Sequence, residues 1–380
     1  VIGDSSVDVD GAASISVGDS AAVLAKVFTA AVGVTAGSST VNLTLVAAVS
    51  VATNTINNDV RAHVLDSSLI TGGALEISAA SDKDIDALGV SVAGSVTAGS
   101  GTFSLSGAVG VTQASNTIGG TVHALIQGAD QTESQSVEAG GSLSIGADNT
   151  STIDATLDVA TLSVTAGSGT VALSLSGAAS VTGNTITSEV LAGIDNSYVD
   201  AEGAVTIDAG ANSTITANTV AVAIGVSAGT GTVNLSGAVG VATATNSIGG
   251  STQALISVGS TVEADGTVAV SVYDNAAITS NVIAAAVSVS ASSGSVSGSL
   301  ALSVSLAENT ISGSSVASID NSTVTATGAL SDVTVMALAD NAIDAVAAAA
   351  SVSVAASSSI GISLAGAGAH ARNVTTNTVE

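Results

Sequence analysis

Few side chains in this sequence are of the types that catalysis commonly uses. The run Gly225–Gly229 (GVSAG) matches the G-x-S-x-G pattern, in which a serine hydroxyl attacks an acyl carbon. That pattern needs a strand followed by a helix. Related stretches carry other residues at the position of Ser227, namely Thr35, Thr97, Thr165, Ser290 and Ala355. Because a nucleophile cannot be exchanged for alanine, we interpret Ser227 as a turn residue and predict that the chain is not an enzyme.

Histidine offers no better candidate for a chemical site. His63, His123 and His370 occupy no shared position relative to the repeats described below. A zinc site would require three or four convergent ligands. We therefore predict scattered surface histidines and no metal bound by them.

The acidic residues are more informative, because they collect where Asn, Gly and Ser indicate turns. One group is expected at a single corner: Asp4, Asp66, Asp195 and Asp320. A second group is expected near another corner: Asp19, Asp148, Asp274 and Asp340. Clustered oxygen ligands suit calcium, which makes the first group candidate calcium ligands. The sequence lacks the G-G-x-G-x-D run of calcium-binding solenoids, and solvated turn residues are the preferred interpretation, with no cofactor.

Composition limits the remaining possibilities. The 380 residues include 30 acidic and four basic ones, giving a net charge of -26, with no Cys and no Pro. Such a charge opposes binding to nucleic acid or anionic membranes, and no apolar run is long enough to span a bilayer. Although 46% of residues are hydrophobic, the aromatics are only Phe28, Phe103, Tyr198 and Tyr273. A narrow core of small aliphatic side chains is expected.

All of these residues belong to a repeated unit. A triplet of Asn, Thr or Ser, and Ile or Val recurs every 62–68 residues, a signature of a repeat architecture. It begins at Asn54, Asn116, Asn184, Asn246, Asn309 and Asn377. Residues 1–380 are therefore predicted to be one continuous array of about six repeats. The absence of an evident cap suggests a window of a longer chain or one protomer of a filament.

Each repeat divides into three stretches of roughly 20 residues, and their alternation with period two indicates strands. Even the alanine-rich run Ala345–Ala356 is predicted to be a strand. If each stretch is one coil, the chain forms an all-β parallel solenoid of about 18 coils, on the order of 85–90 Å long. The alternative is an array of antiparallel hairpins, with Ala228–Gly231 as a hairpin turn instead of a coil corner. The segment Gln131–Gln135 is expected to be a corner insertion.

The repeat resembles those of large bacterial surface adhesins, the filamentous-haemagglutinin-like exoproteins. The resemblance rests on the Asp195–Ser197 turn, the alternating run Val199–Ala209 and the Asn-Thr-Ile mark. It implies a right-handed parallel β-helix that is secreted and displayed at the cell surface.

Three functions remain open at this point. A structural shaft or stalk of an adhesin or extracellular filament is the main prediction, with stacking on itself, end to end or within a longer chain, as the partner interaction. A surface module that binds glycans or calcium is the alternative. A polysaccharide-acting enzyme is disfavoured, because its groove would need clustered acidic, basic and aromatic residues.

Overall fold

The computed structural model describes residues 1–129, 136–328 and 331–380. The regular secondary structure in these ranges consists of β-strands, with no helix. They form three parallel sheets. Sheet 1 contains β3 (Ala13–Gly37), β7 (Leu75–Gly99), β10 (Leu143–Gly167), β13 (Val205–Gly229), β16 (Val268–Ser292) and β19 (Val333–Ala356). Sheet 2 contains β1 (Ile2–Gly3), β4 (Val41–Asn57), β5 (Val60–Leu65), β8 (Phe103–Gln127), β11 (Val171–Asp195), β14 (Val233–Ser257), β17 (Val296–Ile319) and β20 (Ile360–Val379). Sheet 3 contains β2 (Ser6–Val9), β6 (Ser68–Thr71), β9 (Val137–Ala139), β12 (Tyr198–Ala201), β15 (Thr261–Ala264) and β18 (Thr323–Ala326).

The chain runs from a long strand of sheet 1 to a long strand of sheet 2, then through a short strand of sheet 3 into the next coil. This path makes the molecule a parallel β-solenoid and confirms the predicted fold class. The hairpin alternative is wrong. Strands β13 and β14, on either side of Ala228–Gly231, lie in different sheets, and each pairs with strands of neighbouring coils. The turn is a coil corner.

The number of coils differs from the prediction. Leu143 lies in register with Leu75 on one side and Val205 on the other, so a residue meets its cognate one whole repeat away. Each repeat is therefore one coil and not three. The reason is strand length: the full-length strands of sheets 1 and 2 run for 24 or 25 residues without a turn. Six coils extend only about 29 Å along the solenoid axis, whereas a 25-residue strand extends about 83 Å across it.

The repeat mark proves to be a column of buried amides. In Asn54, Asn116, Asn184, Asn246 and Asn309, the Nδ2 atom of each residue donates to the Oδ1 atom of the next, at 2.7–2.8 Å. The column continues from Asn309 to Asn373 at 2.9 Å. The predicted sixth mark at Asn377 is therefore four residues out of register, since Asn377 pairs with Gly313.

The core divides along the length of the long strands. Near sheet 3, inward positions carry branched aliphatic residues such as Leu143, Ile145 and Ile194, which are fully buried. Beside the amide column lies a double row of isoleucines that includes Ile118, Ile153 and Ile186. Farther along, the inward positions change to Ala, Ser and Thr. The expected core of small aliphatic side chains is only partly right: the side chains close to the corner that joins sheets 1 and 2 are small, but many of them carry hydroxyl groups.

Candidate interaction surface

The outer face of sheet 2 is apolar over the part nearest the corner with sheet 1. Five successive outward positions in each of six strands carry only Val, Leu, Ile, Phe, Ala or Gly. We call this set the sheet-2 band: odd-numbered residues 41–49, 103–111, 171–179 and 233–241, and even-numbered residues 296–304 and 360–368. In the two outermost coils Leu45 and Leu364 are 68% and 61% exposed, and Leu175 in an inner coil is 48% exposed. A surface of this kind is uncommon on a monomer.

Leucine and glycine alternate along one column of the sheet-2 band, from Leu45 to Leu300, and fit together. A side chain on Gly107 would lie 2.7 Å from Cδ2 of Leu45, and one on Gly237 would lie 3.0 Å from Cδ2 of Leu175. Leu45 and Leu175 thus each cover the glycine of the next coil. The result is a shallow groove of about 590 Å³ with almost entirely apolar walls, rather than a row of protruding side chains.

Sheet 1 has a smaller apolar surface on the opposite side of the solenoid. We call it the sheet-1 band: even-numbered residues 30–36, 92–98, 160–166, 222–228 and 350–356, and odd-numbered residues 285–291. All of them are Val, Ala, Leu, Ile or Gly. The adjoining column contains Asp158, whose pKa is raised by burial. The two bands cover both outer faces of the same end of the molecule.

The space between the two bands is filled by Ala, Ser and Thr side chains, and the hydroxyl groups bond to one another and to the backbone. Ser95 and Ser106 share a hydrogen bond of 2.7 Å between their hydroxyls. Ser174 Oγ donates to the carbonyl oxygen of Ser163 at 2.8 Å, and Thr165 Oγ1 donates to that of Leu173 at 2.7 Å. These side chains are buried. This end of the solenoid therefore has hydroxyl groups inside and aliphatic groups outside.

The opposite end is acidic. The outer face of sheet 3 places Glu138, Asp200 and Glu263 in register on adjacent strands. Tyr198 donates its hydroxyl to Glu263 Oε2 at 3.1 Å. Burial, and then the neighbouring carboxylates, raise the pKa of Asp200. We call this column of three carboxylates the acidic edge.

The four candidate calcium ligands lie at one corner, as predicted, but in two different positions. Asp4 and Asp66 hold the left-handed backbone position, which Asn196 and Asn321 occupy in other coils. Asp195 and Asp320 precede that position by one residue. Asp195 is engaged by its neighbours, accepting from Gln127 Nε2 at 3.0 Å and from Ser257 Oγ at 3.0 Å. Within the described ranges no three acidic, histidine or cysteine side chains are grouped to hold a metal ion.

The second predicted acidic group is also out of register. Asp19 and Asp274 occupy the same inward column, whereas Asp148 precedes that column by one residue and Asp340 follows it. Asp19 accepts from Asn58 Nδ2 at 2.9 Å, and Asp274 accepts from Ser315 Oγ at 2.9 Å. Because each repeat is one coil, cognate positions in adjacent coils lie about 4.8 Å apart.

Ser227 lies inside β13 and not in a turn, which corrects the sequence interpretation. It is fully buried, and its Oγ donates to the carbonyl oxygen of Ala172 at 3.3 Å. Its cognates Thr165 and Ser290 share its inward column, as the sequence comparison predicted. The hydroxyl is part of the polar interior between the two bands.

Two of the three histidines are not scattered. The rings of His63 and His123 stack with centroids 6.1 Å apart, on the outer face of sheet 2. His123 Nε2 lies 3.4 Å from Glu189 Oε1. Burial, reinforced by the charges of His123 and Arg61, lowers the pKa of His63 to about 4. Sequence spacing could not show this pair, because His63 and His123 occupy different columns of the sheet.

One buried cation also escaped sequence reasoning. Lys83 is fully buried between the sheets, and its Nζ donates to the carbonyl oxygens of Gly119 at 2.8 Å and Asn58 at 3.3 Å. Burial lowers the pKa of Lys83, while Asp19 and Asp59 oppose that change. In the sequence, the only sign of this buried cation is a single lysine in an inward-facing column whose other members are small or polar.

The predicted insertion Gln131–Gln135 lies outside the described residues. No helix long and apolar enough to cross a membrane occurs in the part of the chain that the structure describes. Comparison with known proteins gives no match: no family model fits the chain, and no curated protein or solved structure is significantly similar to it. The fold defines a class, the parallel β-solenoids.

Proposed function

We propose that this chain is a structural module, a rigid non-catalytic segment of an extracellular adhesin or surface filament. The observation that carries the proposal is the continuous register between coils. Strands of sheets 1 and 2 pair residue for residue with their cognates, and the amide column passes through all six coils. In such arrays stability comes from stacking between neighbouring repeats. The partner is then the next coil, in a longer chain or a second protomer.

The extracellular placement belongs to the same proposal. It is supported by the resemblance of the repeat to bacterial surface adhesins and by the net charge of -26, which favours solubility. Because each repeat is one wide coil, each added repeat lengthens the solenoid by only about 4.8 Å. Such a module is wide and stiff, and it adds little length along the solenoid axis.

The proposal predicts that further coils can stack on the end of the solenoid, and a tandem duplicate of the chain tests this prediction. Glu380 lies opposite Val316, since its backbone bonds to Ser315 and Ala317. Val1 occupies the column of Ser318, because Ile2 shares a column with Ile319. A tandem duplicate with a single alanine between Glu380 and Val1 therefore continues the coil without a change of register. The control is a duplicate joined through a long glycine-serine linker.

We expect the alanine-joined duplicate to form one body about 58 Å along the solenoid axis, twice the length of the single chain. It should also melt at a higher temperature than the single chain, because stacking buries two previously open sheet edges. Small-angle scattering and electron microscopy measure the length. Two separate bodies with the melting temperature of the single chain would contradict the proposed role.

A further inference from the structure

The sheet-2 band is too large and too apolar to be explained by coil stacking, which uses the edges of the sheets and not their faces. We propose that the sheet-2 band is a self-association surface, covered by the same band of a second copy of this chain. The two copies pack face to face, with their long strands antiparallel. This inference is independent of the proposed role in stacking, because it concerns a different surface.

The area is sufficient for a stable pair. Six strands about 4.8 Å apart and five outward positions about 6.6 Å apart give the band an area on the order of 950 Å². Specific interfaces of standard size bury about 800 Å² on each partner. Sheets pack face to face at a separation of about 10 Å, a distance that the shallow groove between Leu45, Leu175 and Leu300 permits.

The charge distribution selects both the occupant and its orientation. The sheet-2 band contains no charged side chain, whereas Glu138, Asp200 and Glu263 lie at the other end of the molecule. Two copies with a net charge of -26 repel one another. They meet with least repulsion when only their bands overlap and their acidic edges point in opposite directions. A two-fold axis parallel to the solenoid axis produces this arrangement.

A lipid bilayer is a less suitable occupant. In hydrocarbon, open sheet edges do not occur, because their N–H and C=O groups lack partners. The six coils have such edges, since β3 and β19 each pair on one side only. The choice of sheet 2 over sheet 1 rests on extent: the sheet-2 band has five fully apolar columns, and the sheet-1 band has four, with Asp158 in the next column.

The test compares the two faces with matched double variants of the 380-residue chain. Leu175→Glu with Leu300→Glu alters the sheet-2 band, and Leu162→Glu with Val92→Glu alters the sheet-1 band. The four side chains are similarly exposed, at 48%, 37%, 43% and 43%. Both variants add the same charge, so general repulsion between copies rises equally. Sedimentation equilibrium measures mass, and circular dichroism with a thermal melt verifies the fold.

We expect the native chain and the sheet-1 variant to have twice the 35.5 kDa mass of one chain. The sheet-2 variant should halve that mass while keeping its β-sheet spectrum. A monomeric native chain would overturn the proposal, as would loss of association only in the sheet-1 variant. Equal association of both variants would assign self-association to the sheet edges. Flotation of the native chain with neutral phosphatidylcholine vesicles, abolished by the sheet-2 substitutions, would identify lipid as the occupant instead.

Discussion

At the scale of single residues, the amide column explains why a short polar triplet marks a repeat that is otherwise aliphatic. An amide has both a donor and an acceptor, so a buried asparagine can satisfy its neighbours above and below at once. Asn184 does so: it accepts from Asn116 and donates to Asn246, each at 2.8 Å. An aliphatic residue at one coil would leave two buried amides with an unpaired group.

This arrangement predicts a position-dependent cost of removing one asparagine. Asn184→Ala leaves a donor of Asn116 and an acceptor of Asn246 unpaired, which should destabilise the fold by about 2–5 kcal/mol. Asn54→Ala in the first coil leaves only an acceptor of Asn116 unpaired and should cost about 1–3 kcal/mol. Urea denaturation measures both. Equal losses for the two variants would contradict a hydrogen-bonded column.

The stacked histidines predict a dependence on pH. The pKa of His63 is about 4 in the folded chain, against an ordinary value of 6.5. The folded state therefore binds the proton less readily than the unfolded state, and stability is lost as pH falls from 6.5 towards 4. His63→Leu introduces the residue that the next coil carries at Leu125 and should remove this loss. We expect the variant's advantage in melting temperature over the native chain to grow between pH 7 and 4.

The matched control is His370→Leu, because His370 is exposed. That variant should melt in parallel with the native chain across the same pH range. If His63→Leu also shows a constant difference in melting temperature, protonation of His63 does not contribute to acid sensitivity.

At the scale of one strand, the position of the apolar bands follows from parity. In β10, Leu143, Ile145 and Ile153 face inward. The strand continues for 25 residues without a bulge, so every odd position must also face inward. Thr161, Ser163 and Thr165 are thereby placed inside. The even positions, including Leu162 and Val164, are placed outside.

The sequence alternation correctly predicted β-strands, but neither their length nor which face of each was buried. The usual rule buries the larger aliphatic residue of an alternating pair, and near the corner that rule gives the wrong face. The information was present in Leu143 and Ile153, but it could be used only if the strand was known to continue to Gly167. A division of the repeat into 20-residue coils ends the strand too early. The inward-facing positions near the corner, and therefore the apolar outer band, could then not be inferred.

In the hydroxyl-containing interior, replacing an inward-facing hydroxyl with a methyl group is expected to destabilise the fold. Thr165→Val removes a hydroxyl that donates across the solenoid to the carbonyl oxygen of Leu173 and should destabilise by about 0.5–1.5 kcal/mol. Val164→Thr, the next residue and outward-facing, should change stability by less than about 0.5 kcal/mol. Chemical denaturation of the two variants gives the comparison. A stabilised Thr165→Val would show that the interior prefers methyl groups after all.

At the scale of the whole molecule, the repeat period was evident in the sequence but the number of coils was not. A spacing of 62–68 residues accommodates three narrow coils or one wide one, and the local alternation is the same in both. The deciding fact is long-range pairing, such as Leu143 with Leu75, which leaves no trace in local patterns. A division into three coils per repeat would put cognate acids three coils apart, which hides the repulsion along the acidic edge.

That repulsion gives the last prediction. Asp200 lies between Glu138 and Glu263 on adjacent strands, about 4.8 Å apart, well inside the screening length of about 10 Å at 0.1 M salt. Asp200→Asn should therefore stabilise the chain at pH 7 by about 0.2–1 kcal/mol. Because the pKa of Asp200 is raised, the folded state favours its protonated form, and the gain should disappear as pH falls below 3.8, where the native side chain is protonated too. It should also diminish towards 1 M NaCl.

Glu76→Gln is the control, because Glu76 lies between Ser14 and Ser144 and not between carboxylates. An equal, salt-dependent gain there would assign the effect to net charge and not to the acidic edge.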